Sequence, residues 1–433
     1  AAARAAPDAL PRKEESELLI ALAPHLEDFL CALFGIGQPV RDLAERHDTL
    51  APLYTCKRLF VQRRAAKQVK PDQAAAIDGE ALRMALSTRL AAPFTELGYA
   101  AAVMRWLDDE AANAEALAQA LDYAGWALHT PAGRQRHGAG VLFQVPHKTD
   151  PEHLVELQPE VSGDVATVTV PAGHKRQREG FGLTDAGTDL TGALDEANYC
   201  IWCHNQGKDS CSTGLRDRKT GAFQNSPFGV TLAGCPLEER ISEFHTLKTQ
   251  GHAIGALAMI AIDNPLCAAT GHRICNDCMK SCIYQRQEPV DIPQAETRTL
   301  KDVLSLPWGF EIYGLLTRWN PLDLRRPLPL PDSGYKVLVV GLGPAGFNLA
   351  HHLLNDGHTV VAIDGLKIEP LPAKISGVTP TGERVGFRPI RDIGELWEGL
   401  DDRVMAGFGG VAEYGITVRW DKNFLKLVRL LLE

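Results

Sequence analysis

The sequence predicts an α + α/β chain: a helical N-terminal region, a mainly helical middle punctuated by cysteines, and the start of a doubly wound α/β unit. Three observations carry this. Apolar residues recur every three to four positions through most of residues 14–130. Eight of the ten cysteines fall between Cys200 and Cys282. From Tyr335 onward a short apolar run, a glycine-rich turn, an amphipathic stretch and a second apolar run follow one another.

At 433 residues the chain has room for several domains and at least one sizeable core. Its 45% hydrophobic and 23% charged residues are ordinary for a globular protein. A formal net charge of −9 gives no basic field for nucleic acid phosphates, so no nucleic-acid partner is expected. No apolar run is long enough to span a bilayer, and the first residues lack the apolar stretch of a secretory signal. A reducing, cytoplasmic compartment is the resulting expectation, and there clustered thiols bind metal or do redox work more often than they form disulfides.

Taken in order, Leu18, Leu19, Leu22, Leu26 and Phe29 predict one buried helical stripe, with further helices near 40–67, 80–91, 95–109 and 112–128. The basic stretch CKRLFVQRRAAKQVK reads as a solvated helix face. Cys31 and Cys56 stand alone in helical segments and read as core thiols. Val141–Val145 and Val165–Val170 predict short strands, and residues 172–193 a linker. Leu237–Ile262 predicts one helix, stopped by Asp263-Asn264-Pro265. The proline- and aromatic-rich residues 307–334 predict an extended connector.

Lys336–Val340 predicts a short buried strand, followed at once by Gly341-Leu-Gly343-Pro344-Ala345-Gly346, a helix, Gly357 and a second strand, Thr359–Ile363, ending at Asp364. This is a dinucleotide fingerprint in its required context. Gly341 makes the tight turn, Gly343 admits a pyrophosphate, and Gly346 lets helix and strand pack closely. The helix N-terminus offers N–H donors to phosphates, and Asp364 an acceptor for ribose hydroxyls. The motif alone does not separate FAD from NAD.

The thiols form two motifs. Cys200-Ile-Trp-Cys203 is followed by Cys211 and Cys235-Pro236, and Cys275-Asn-Asp-Cys278 by Cys282, with Cys267 just upstream. Zinc ribbons place two CxxC pairs about 15–20 residues apart, far closer than Cys200/Cys203 and Cys275/Cys278. Four soft thiolates per cluster, and a proline directly after a ligand cysteine, point instead to two 4Fe–4S clusters.

At this level of detail the chain resembles the small subunit of glutamate synthase and the N-terminal electron-transfer half of dihydropyrimidine dehydrogenase. The resemblance runs through both cysteine motifs, Asn264-Pro265, Gly271, Arg273 and Glu288-Pro289, and on to Gly409-Gly410, Tyr414-Gly415-Ile416, Arg419 and Lys422. It covers about residues 196–433, and residues 1–190 have no counterpart in it. It implies interleaved ligands: Cys200, Cys203, Cys211 and Cys282 for one cluster, and Cys235, Cys275, Cys278 and Glu296 for the other. Cys267, an extra thiol, competes with Glu296 for the eighth position. It further implies FAD on the glycine loop, with Gly410, Tyr414, Gly415 and Ile416 against the flavin. His204 and His272 read as neighbours of the clusters rather than ligands.

The expected domains are a helical unit of unassigned role (1–190), a helical two-cluster domain (191–306), the connector (307–334) and an incomplete Rossmann-like FAD-binding domain (335–433). Fewer than seventy residues follow Gly365, too few for the second dinucleotide domain that the resemblance implies. A missing C-terminal part or a separate redox subunit is therefore expected to complete the protein. In the intact protein, NAD(P)H would reduce FAD, and the clusters would carry single electrons to a partner. The expected alternative is a non-catalytic docking or scaffold module stabilised by zinc or a cluster.

Overall fold

The structure, a computed structural model, describes residues 2–171, 175, 182–183, 185–271, 274–365, 371–399, 421 and 423–432. It is mostly helical, with two small two-stranded sheets among the described residues.

Helix Arg12–Phe34 follows Pro11 and is stopped by Gly35 in the left-handed region, at φ 66°. Its buried stripe is Leu19, Ala23, Leu26 and Leu30, whereas Leu22 and Phe29, expected in that stripe, are 36% and 51% exposed. The reason is a close approach to helix Ala253–Asp263. A Cβ on Gly255 would lie 3.2 Å from that of Ala23, so the small-residue face sets the rotation and the larger side chains are left at the rim. Glu27 then serves the facing helix, its Oε2 accepting from the N–H groups of Ile254 and Gly255 at 2.8 and 3.2 Å.

Two cores result. The larger joins Leu19, Leu30 and Leu43 to Phe244, Leu247, Leu257, Ile312, Tyr313 and Leu425. The smaller gathers Leu53, Phe60, Tyr99, Val103, Tyr123, Trp126 and Phe143. Helix Gly37–Cys56, continued by the π-helical Lys57–Ala65, runs from one core into the other. The basic stretch is therefore not a purely solvated face: Lys57 is buried and pairs with Asp195 at 2.6 Å.

Four local expectations change. Val141–Val145 is a turn, not a strand, because Glu96 Oε2 accepts from Val141 and Leu142 N–H and so takes the donors a neighbouring strand would use. The helix expected over 237–262 is two, Ile241–Thr249 and Ala253–Asp263, broken at Gly251 with φ 84°. The connector holds a helix, Gly309–Leu316, because Phe310, Ile312, Tyr313 and Leu316 find burial in the larger core. The strand at Lys336–Val340 is buried only at Val339, as described next.

β1 (Gln158–Ser162) and β2 (Val165–Thr169) form an antiparallel surface hairpin with Val161, Val165 and Val168 exposed. β3 (Lys336–Val340) and β4 (Thr359–Ile363) pair in parallel, Val337 opposite Val360 and Val339 opposite Ala362, joined through helix Pro344–Asn355. With two strands and one covering helix, Leu338, Val340, Val361 and Ile363 remain 47–74% exposed. Helix Asn423–Leu432 seals the larger core with Phe424, Leu425, Leu427 and Val428. No described helix is long and apolar enough to cross a membrane.

Candidate functional site

The cysteine loops lie against the larger core, and the chain brings their thiols together in two sets. The first is Cys200, Cys203, Cys211 and Cys282. Trp202, between the first two, takes the left-handed conformation at φ 52°, folding the loop so that its N–H meets Cys200 Sγ at 3.4 Å. Ser210 N–H donates to Cys203, and the N–H groups of Tyr284 and Val290 donate to Cys282. Cys282, 82 residues after Cys200, hydrogen-bonds with Cys211. That bond raises Cys211 and holds Cys282 down to about 7, against the upward push of burial. Burial moves Cys200 upward and Cys203 up to about 11. Asp209, 4% exposed, stands close enough to Cys200, Cys203, Cys211 and Cys282 that its charge raises all four. Its own carboxyl is pushed up to about 6 by burial and the nearby Glu243, while Ser242 Oγ donates to it at 3.1 Å. Ser242 Oγ also meets His204 Nδ1 at 2.7 Å, which links His204 to Asp209 through one hydroxyl.

The second set is Cys235, Cys275 and Cys278, with the buried acids Glu239 and Glu296 and the buried Cys267 around it. Cys235 Sγ accepts from the N–H groups of Leu237 and Glu239, and Asp277 N–H approaches Cys275 Sγ at 3.4 Å. Cys278 is raised first by burial, then by the charges of Glu239, Cys235, Glu296 and Cys275. Burial pushes Glu296 up to about 7 although Asn264 Nδ2 donates to its Oε1 at 2.6 Å. The two loops are stitched together: Cys235 N–H donates to the Cys211 carbonyl at 2.8 Å, and Gly234 N–H to Ser281 Oγ at 2.9 Å.

Cys200, Cys203, Cys235, Cys275 and Cys282 receive backbone N–H donors, the interaction that stabilises a thiolate and tunes a cluster. Around the second set, buried acids and thiols raise one another, and Glu239 Oε1 has no hydrogen-bond partner. Burial and mutual repulsion push these groups toward their neutral forms. Among the described residues no three His, Cys, Asp or Glu side chains converge as ligands of a single ion would.

The glycine loop has the geometry of its sequence. Gly341 has φ 94°, and a Cβ on Gly346 would stand 1.8 Å from the Gly341 carbonyl oxygen, so only glycine lets the helix begin that close. Gly343 faces open space where a phosphate could approach, with Pro344 and Ala345 opening the helix behind it. Asp364 Oδ2 accepts from Leu342 N–H at 2.7 Å, so this carboxylate also fixes the loop. Gly410, Tyr414, Gly415 and Ile416 lie outside the described residues, as do Gly409, Arg419, Lys422, His272 and Arg273.

Sequence reasoning passed over Asp209 and Glu239. Acids in a loop read as solvated, and only the Glu-Glu run directly after Cys235-Pro236-Leu237 hinted otherwise.

Comparison with known proteins agrees with part of this. A family described as "RP005 N-terminal alpha-helical domain" matches residues 1–35, the region of helix Arg12–Phe34. The uncharacterized protein RP006 of Rickettsia prowazekii is 55% identical over 166 residues, which are 38% of this chain and 22% of that protein. Uncharacterized protein RP005 of the same organism is 28% identical over 260 residues, 57% of this chain and 85% of that one. The NADPH glutamate synthase small chain of Mycobacterium tuberculosis is 30% identical over 132 residues, 30% of this chain and 24% of that one. The chain thus spans about a fifth of the length of RP006 and a quarter of that of the glutamate synthase chain. The similarity to the latter is a partial one to a subunit of an oxidoreductase.

Proposed function

We propose that this chain is an electron-transfer module of an iron–sulfur flavoprotein oxidoreductase. The observation that carries the reading is the meeting of Cys282 with Cys200, Cys203 and Cys211, and of Cys275 and Cys278 with Cys235. Two separate cysteine loops interleave rather than closing two independent sites. Bound clusters would supply one-electron storage and transfer. The protein's own part is to offer backbone N–H donors to the sulfurs and to hold most of them against the larger core, where water is limited. Gly341, Gly343 and Gly346 would seat the pyrophosphate of FAD, and Asp364 would hold that loop in shape. The partial similarity to a glutamate synthase small chain supports NAD(P)H as the electron source, with the acceptor in a further domain or a partner subunit.

The test is anaerobic purification of the chain followed by iron, sulfide and zinc analysis. Two four-iron clusters require about eight irons per chain and an EPR signal on reduction. Colourless protein with stoichiometric zinc would overturn the reading in favour of a zinc-stabilised docking module.

A further inference from the structure

We infer that the chain carries a binding site for a small aromatic anion, in a cavity roofed by residues 371–399. The motifs of the resemblance stop at Asp364 and resume at Gly409, so this segment lies outside them. None of the residues lining the cavity belongs to the thiol sets or to the glycine loop. The site is separate from the redox chemistry proposed above and needs no bound cluster or flavin.

The roof is shaped by local bonds and fastened at several points. Thr379 N–H donates to the Glu383 carbonyl and Val385 N–H to the Gly377 carbonyl, each at 2.9 Å, which folds the chain back on itself. The returning strand is tied to the connector helix: Trp308 N–H donates to the Arg391 carbonyl and Ile390 N–H to Glu311 Oε1, each at 2.7 Å. Ile390 and Leu396 are buried in the larger core, and Lys426 Nζ donates to the Leu396 carbonyl at 2.9 Å. A segment anchored this firmly has every chance to close onto the helices beneath it. Instead it leaves a cavity of about 890 Å³ against helix Gly309–Leu316, helix Asn423–Leu432 and the end of helix Arg12–Phe34. Sites for small molecules run to roughly 300–1,000 Å³. Gly314 helps to keep the space open. A Cβ there would meet only the Leu431 side chain within 4 Å, at 3.2 Å, and glycine inside a helix is otherwise less favourable than alanine.

The lining sets the class of ligand. Phe34, Trp308 and Phe387 give flat apolar walls. Phe387 is 61% exposed yet seated on Gly377, whose Cβ, if present, would stand 3.2 Å from its ring. Three arginines, Arg318, Arg384 and Arg388, line the cavity with one acid, Glu311. Arg388 pairs with Glu395, and Glu311 accepts from Ile390 N–H. Among the described residues neither Arg318 nor Arg384 pairs with a carboxylate; Arg318, partly buried, donates to the Leu431 carbonyl at 2.5 Å. A guanidinium drawn out of water without a counter-ion is costly, and here two such groups stand in a chain of net charge −9. A carboxylate, sulfonate or phosphate would supply the missing charge, because the planar guanidinium offers it two parallel N–H donors. The aromatic walls would take the ring that carries it.

The experiment follows the fluorescence of anilinonaphthalene sulfonate, an aromatic anion, titrated into the full chain, with the uncharged phenylnaphthylamine as its matched probe. Wild type should bind the sulfonate saturably. Gly314→Leu, which fills the cavity, and Arg384→Met, which removes the charge and keeps the length, should each weaken that binding about tenfold, as loss of a charge-assisted hydrogen bond does. Arg384→Met should leave phenylnaphthylamine binding unchanged, and its urea midpoint should match wild type because Arg384 is exposed. Gly346→Ala, which displaces the glycine loop, should bind the sulfonate as wild type does. Binding that does not saturate in wild type would overturn the proposal, as would wild-type affinity in either Gly314→Leu or Arg384→Met. An equal loss of both probes in Arg384→Met would show that charge is not recognised. Loss of the sulfonate in Gly346→Ala would move the site to the glycine loop, and either result overturns the assignment.

Discussion

The thiol loops and the β3–helix–β4 unit are opposite kinds of site. The glycine loop is made largely by neighbours: Gly341 and Asp364 are 23 positions apart, and the turn closes through Gly346 and the bond from Leu342 N–H to Asp364. The thiol sets are made by strangers: Cys282 meets residues some 70–80 positions earlier, and Gly234, beside Cys235, donates to Ser281 of the other loop. The first site closes through local bonds, rests on the larger core through Leu342 and Phe347, and leaves its strands half exposed. The second exists only when the larger core is assembled, and it keeps groups that would be unstable alone. Locality makes a site robust, whereas long-range closure makes it buried.

The sharpest way to break this comparison is Cys282→Ser. If the loops interleave, one residue of the second motif belongs to the first set, and the variant should lose about half of its iron while the second EPR component persists. Loss of both components, or of neither, would mean that the sets are not divided in this way. Next is the pair Gly346→Ala and Gly343→Ala. The first places a methyl 1.8 Å from a carbonyl oxygen and should displace the loop, abolishing flavin retention while iron stays. The second adds a methyl that meets nothing, so melting should be unchanged while FAD affinity, followed by fluorescence, falls. Third, Leu257→Ala in the larger core should cost about 2–5 kcal/mol in urea unfolding, whereas Leu338→Thr on β3 should cost less than about 0.5 kcal/mol. Equal costs would remove the contrast in burial. The smallest effect is electrostatic. Glu27 hydrogen-bonds to His252 and raises its pKa above 6.5, so this stabilisation is complete below the unfolded value near 6.5 and is lost as pH rises through the higher folded value. Glu27→Gln should flatten that part of the stability–pH profile, measured by denaturant midpoints.

Legibility in the sequence followed the same division. The strand, glycine turn, helix and second strand could be read residue by residue because their causes are local. Their burial could not be read, since Leu338 and Val361 look alike whether or not another layer covers them. In the cysteine region the number and spacing of thiols were plain, yet no spacing rule joins Cys211 to Cys282, and that pairing entered only through resemblance. Leu22 and Phe29 were misread because helical periodicity gives a stripe but not its rotation, which the Ala23–Gly255 approach decides. Helix Gly309–Leu316 was hidden by its glycines and by the prolines around it, and the core it fills accounts for it. Glu239 was hidden by its charge.

Helix Arg12–Phe34 reaches far along the chain. Ser16 donates to Glu243 at 2.6 Å across 227 positions, and Arg12 to Ser212 at 2.7 Å. During synthesis at about 5–20 residues per second, roughly ten to forty-five seconds separate the helix from the segment that will cover it. Through that interval Leu19, Ala23, Leu26 and Leu30 have no core to enter, and the cell must keep them from other company. Of the two segments, the one made earlier waits for its place until the later one arrives.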